Sequence, residues 1–302
     1  MSCLILSCLS RVAFAGGPPA AEPLAVSPVD LPWSSPGDVS PAFSPDGRTV
    51  YFTHGLGDRR QIMVSSLRGQ TWTAPVVAPF SGQWLDIEPA MAPDGSYLIF
   101  VSNRPASPGG KPLDGTFGGK LHPGRGGNLW RVDLRGPRSV AQRLPDLINA
   151  ESSIYGPAVG RDGTIYYMGH GPNGGKARLY AARLRAGRFL APEPLPFSDA
   201  TTMDCDPAIA RDGSFLVFSS GRAPTPAKQS GLFVSRAERG GWGTPIPLGV
   251  FGQEARLSAD GATLYFRSDQ PTAATAATGV ERLYQVTITT VLHPRAGAGA
   301  PR

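Results

Sequence analysis

The sequence predicts an all-β fold: a five-bladed β-propeller of four-stranded antiparallel blades. Three observations predict it: a segment repeated five times, a β-rich run downstream of each copy, and an N-terminal stretch that supplies the one strand otherwise missing. The copies read PAFSPDGRTVYF from Pro41, PAMAPDGSYLIF from Pro89, PAVGRDGTIYYM from Pro157, PAIARDGSFLVF from Pro207 and ARLSADGATLYF from Ala255. A recurrence of roughly 50 residues marks a propeller, solenoid or array.

Each copy centres on a tight turn. In the first, Pro45 supplies φ near −65°, Asp46 bonds its own backbone, and Gly47 takes the position with φ > 0. A short apolar stretch (Ala42, Phe43) precedes the turn and a β-rich run (Thr49 to Thr53) follows it, so the two form a hairpin of strands A and B. Strand C follows as QIMVSSL, NLWRVDL, RLYAARL, GLFVSRA and RLYQVTI. Four units then carry a Pro-punctuated apolar segment (APVVAPF, AQRLPDL, PEPLPF, TPIPLGVF), and a strand that tolerates proline belongs on a sheet edge. The fifth unit has no such segment. EPLAVSPVDLPW (Glu22 to Trp33) has the same pattern ahead of the first A strand, and is expected to close the last blade and the ring.

The SPDGxxxYF core, SNRP from Ser102, GGNLWRV from Gly126 and GGWGTPIPL from Gly240 together resemble the WD40-like Pro-Asp-Gly propeller repeats of the TolB type, also found next to OmpA-like domains. The resemblance covers Glu22 to about Thr290. It rests on turn and core positions, so it implies a fold and, for function, a binding or interaction role.

Domain organisation follows from the repeats. Residues 1–15 read as a signal peptide, with an apolar stretch ending in Ala13-Phe14-Ala15, and 16–21 as a linker. The propeller spans 22–290, with blades starting near 41, 89, 157, 207 and 255, and 291–302 read as a disordered tail. Cleavage after Ala15 would leave Cys205 as the one thiol, expected to be a buried small hydrophobe. No apolar run long enough to span a membrane follows the leader. The net charge of +6 is scattered, and there is no stacking motif for nucleic acid. One modest basic cluster, Arg183, Arg185 and Arg188, falls in the C-to-D loop of the third blade.

Antiparallel order puts the start of strand A and the end of strand B on one face, opposite the Asp-Gly turns. One residue before each A strand stand Ser40, Glu88, Gly156, Asp206 and Glu254, and two residues further back Asp38, Asp86, Ile154, Asp204 and Gly252. By the period of two, both sets are expected to share a side and to ring the axis. Arg256 stands where the other copies have alanine and would reach into this ring. His54 and His170 end strand B in the first and third blades. An insertion, roughly residues 106 to 125, emerges on the same face and is expected to act as a lid.

The candidate ligand-binding face is therefore Asp38, Asp86, Glu88, Asp204, Asp206, Glu254 and Arg256 with His54 and His170. Two chemistries are open to it. Oxygen-rich clusters hold divalent cations and paired carboxylates hydrolyse glycosides; alternatively the acids cap blade junctions, accepting backbone N–H bonds and pairing with Arg104, Arg222 and Arg267. The turn aspartates Asp46, Asp94, Asp162, Asp212 and Asp260 are explained by their turns. No catalytic residue, metal site or cofactor is assigned, a divalent cation being the one considered.

The expectation is an exported TolB-like propeller, periplasmic or secreted and monomeric. It would act as a binding module for an envelope protein or an extracellular glycan, without a nucleic-acid partner or a membrane span. The alternative is a glycan- or lactone-hydrolysing enzyme with a carboxylate site at the channel mouth.

Overall fold

A computed structural model describes residues 24–55, 59–136, 140–171, 174–268 and 282–289. The expected leader, linker and tail lie outside these residues. The described chain is a five-bladed β-propeller. The first blade is built from Val39–Phe43, Thr49–His54, Gln61–Arg68 and Val76–Val77, and the second from Asp86–Met91, Tyr97–Ser102, Asn128–Asp133 and Ala141–Arg143. Tyr155–Val159, Ile165–Gly171, Gly175–Ala182 and Glu193–Pro194 form the third, and Asp204–Ile209, Phe215–Ser220, Gly231–Glu238 and Ile246–Phe251 the fourth.

The fifth blade takes three strands from the end of the chain, Gln253–Leu257, Thr263–Ser268 and Arg282–Thr287, and its outer strand, Val26–Pro28, from the beginning. Val26 faces Val286 and Pro28 faces Tyr284 in antiparallel register. The Pro-spaced N-terminal segment thus closes the ring as expected. Its three residues are all exposed, which suits an edge strand that carries a proline.

Five apolar clusters hold the disc together, one at each blade junction. Trp33, Phe52 and Tyr265 pack between the fifth and first blades, and Phe80, Phe100 and Leu98 between the first and second. Leu129, Ile154 and Tyr167 join the second and third, Leu179, Phe218 and Phe233 the third and fourth, and Val217, Val234, Phe266 and Tyr284 the fourth and fifth. Burial of such side chains is worth roughly 1.5–3 kcal/mol each, so every junction contributes to closure.

One detail of the inner strands was not expected. In all five the pairing to the next strand shifts, between Val39 and Ala42, Ile87 and Ala90, Tyr155 and Ala158, Cys205 and Ala208, and Gln253 and Arg256. At each bulge one residue takes a left-handed conformation: Ser40 (φ 52°), Glu88 (53°), Gly156 (59°), Asp206 (53°) and Glu254 (54°). Only glycine visits this region freely, so four of the five blades hold a strained side-chain-bearing residue at the same place.

Candidate functional site

These five bulge residues lie where the inner strands begin, and the four that carry side chains stitch neighbouring blades together. Glu88 Oε2 accepts the backbone N–H of Gly156 at 2.6 Å, Asp206 Oδ2 accepts that of Glu254 at 3.0 Å, and Glu254 Oε2 accepts the Ser40 hydroxyl at 2.5 Å. The N–H of Glu88 donates to Thr53 Oγ1 at 2.8 Å. Gly156 has no side chain to offer the fourth blade and little room for one, because a Cβ there would lie 3.1 Å from the Cα of Asp206.

The three acids are buried and feel one another. Burial first, and then Glu254 and Asp206, push the Glu88 carboxyl up to about 8, while Arg256 and the Gly156 N–H pull the other way. Asp206 is raised by burial and then by Glu254. Arg256, 5% exposed, donates from Nη1 to the carbonyl of Ala255, and its Nε and Nη2 have no hydrogen-bond partner among the described residues. Its charge acts on Glu88 and Asp206 through space, with no direct ion pair among the described residues.

Asp38, Asp86 and Asp204 do not share that ring. The bulge falls on the second set, at Glu88 and Asp206 and their counterparts, and breaks the period of two on which the expectation of a common side rested. Asp86 turns into the preceding junction, where Arg104 clamps both its oxygens (2.7 and 3.2 Å), Ser81 donates to it at 2.8 Å, and Arg104 also bonds the carbonyl of Phe80. Two blades on, Asp204 has the same partners: Arg222 on both oxygens, Ser198 and Ser220 at 2.7 and 2.6 Å, and a bond from Arg222 to the carbonyl of Phe197. Asp38 accepts the N–H of Ser35 and lies 2.6 Å from Nδ1 of His54, whose ring is 44% exposed.

Every carboxylate named from the sequence is thus held in bonds within the protein, and among the described residues no three His, Cys, Asp or Glu side chains are placed to hold a metal ion. His170 pairs through Nδ1 with Glu151, a residue the sequence reading passed over. The signal was present: the third copy lacks acids at Ile154 and Gly156, and Glu151 lies just upstream. The insertion folds as a hairpin, Gly115–Phe117 with Lys120–His122, fastened to the third blade where Thr116 donates to Ser153 and Ser152 to the carbonyl of Asp114. Cys205 is buried and unbridged, and burial pushes its thiol well up.

A large cavity opens on the other face. A narrow channel of about 90 Å³, walled by Pro41, Pro89, Pro157 and Pro207 with the alanines that follow them, widens at the Asp-Gly turns into a bowl of about 1110 Å³. Arg161, Arg211 and Arg236 line the bowl beside Asp94, Asp162, Asp212 and Asp260, with Tyr97 and Leu184. Local turn bonds occupy these aspartates; Asp212, for example, accepts both the N–H and the hydroxyl of Ser214.

No known family profile matches the sequence, and no curated protein matches it. Similar solved structures exist. A thermostable family-43 glycoside hydrolase matches with a TM-score of 0.51 and 14% identity, over 83% of this chain and 91% of that one. TolB from Acinetobacter baumannii matches at 0.42 and 17%, over 82% of this chain and 43% of its own, so the chain spans less than half of that protein. A puromycin-hydrolysing peptidase of Mycobacterium tuberculosis matches at 0.41 and 17%, over 70% and 28%. At such identities the likeness is one of fold, which hosts unrelated activities. No helix among the described residues is long and apolar enough to cross a membrane.

Proposed function

We propose that the chain is an exported interaction propeller of the TolB-type repeat class, and that its partner, an envelope protein, docks on the Asp-Gly-turn face. One observation carries this reading: the bowl of about 1110 Å³ at the channel mouth, lined by both arginines and aspartates. Its mixed charge suits the mixed charge of a protein surface, and its size suits an inserted loop or chain end. The acids of the opposite face are spent on blade junctions, which leaves glycan or lactone hydrolysis without a free carboxylate pair. Residues 1–15, read as a signal, support a periplasmic or secreted location.

The test is a pull-down from envelope extract with three forms of the full chain. The unchanged protein retains a partner, Arg161→Glu/Leu184→Asp loses it, and Glu88→Gln/Asp206→Asn keeps it. Loss in the second double variant but not the first would place docking on the acidic face, and turnover of a glycan panel with no partner retained would sink the binding reading.

A further inference from the structure

The third blade departs from the other copies in a way the fold does not demand. In the second and fourth blades the residue ending the second strand is Ser102 or Ser220, part of a buried Asp-Ser-Arg clamp. In the third, Ile154 replaces the aspartate and His170 the serine, and the carboxylate comes instead from Glu151. That carboxylate takes the backbone N–H of His170 on Oε1 at 2.7 Å and its ring Nδ1 on Oε2, while the carbonyl of His170 accepts the Tyr180 hydroxyl at 2.7 Å. The histidine is fixed on three sides. A Cβ at position 169 would come within 3.1 Å of the Glu151 oxygen, so Gly169 keeps the pair's space clear.

An imidazole held this way has its tautomer set. In the neutral ring, Nδ1–H directed at the carboxylate leaves the lone pair on Nε2. Nε2 has no partner among the described residues, and the side chain is 23% exposed. The pair borders a cavity of about 410 Å³ whose other walls include Tyr167, Tyr180, Ile148 and Ile154. Aromatic and aliphatic walls with an oriented polar pair at the edge are the features of a small-molecule pocket, and the volume suits a ligand of one or two rings.

We propose that this cavity is a second binding site, separate from the bowl, for a small planar ring bearing a hydroxyl that donates to Nε2 of His170. Apolar walls favour the ring, and the acceptor at Nε2 favours a donor on it.

Phenol is the probe, with anisole, which has the ring but no donor, as its control. Titrations use the full chain at pH 8, where a phenol of pKa about 10 keeps its proton, followed by the ¹⁵N resonances of the histidine rings. Phenol is expected to saturate and to shift Nε2 of His170, and anisole to bind at least about tenfold more weakly, as for a hydrogen bond left unmade. His170→Asn is the informative variant, because its amide nitrogen sits where Nδ1 was, keeping the tie to Glu151 while Nε2 is gone. It should melt within about 2 °C of the parent and lose phenol at least about tenfold. If His170→Asn fails to fold, the anisole comparison and the ring resonances of the parent still decide. Equal affinity for phenol and anisole, saturation without a change at Nε2, or no saturation with phenol would each overturn the proposal.

Discussion

Glu88, on the innermost strand of the second blade, accepts the backbone N–H of Gly156, on that of the third, at 2.6 Å while buried beside two other acids. The bond is structural, but the group making it titrates in an accessible range. Its folded value of about 8 lies above the ordinary 4.5, so the folded protein holds this proton where the unfolded chain has released it. Stability from this group is fully present below about 4.5 and falls as pH rises towards 8.

Thermal melts between pH 5 and pH 8.5 should show the midpoint dropping by several degrees, and Glu88→Gln, which still accepts from Gly156, should flatten that slope. A midpoint that rises over this window would contradict the assignment.

Gly156→Ala should cost about 2 kcal/mol or more in denaturant unfolding, since the left-handed φ and the close approach to Asp206 act together. Ser40→Gly is the counterpart. It relieves the strain at φ 52° but removes the hydroxyl bond to Glu254, so its cost should be under about 1 kcal/mol.

Arg222→Ala leaves Asp204 buried without its cation and should destabilise by about 3–5 kcal/mol. Adding Asp204→Asn should recover part of that loss, because the orphaned charge is gone while Ser198 and Ser220 can still bond the amide. A double variant as unstable as the sum of the singles would show that the two residues act independently.

Trp33→Ala removes a nearly inaccessible indole that contacts Phe43, Phe52 and Trp72 at the closing junction. Equilibrium unfolding should show a loss of about 3–5 kcal/mol. Deleting residues 22–33 should be worse, since the outer strand of the fifth blade goes with the tryptophan. An unchanged melt in the deletion would argue against closure by this strand.

The architecture was legible because its signals are local. Asp-Gly turns, β-branched and aromatic runs and proline-spaced edges each speak for themselves, and the closing strand showed itself as the same pattern out of place. The site was less so. Reading Asp38, Asp86 and Asp204 as neighbours of Glu88, Asp206 and Glu254 needed an uninterrupted strand, and a bulge at each of those positions turns the two sets into different junctions. A bulge that places Glu or Asp at positive φ has no signature in sequence, because local preference argues against it and only the bond to the next blade compensates. The bowl was invisible for a different reason: residues as far apart as Tyr97 and Thr289 wall it, and a void is a property of their spacing.

The pairing of Val26–Pro28 with Arg282–Thr287 makes the fold wait for its last strand. Val26–Pro28 has no partner until Arg282–Thr287 has followed it, so no earlier intermediate can lock the ring. Until Arg282–Thr287 is available the ring stays unclasped, however well the first four blades have formed.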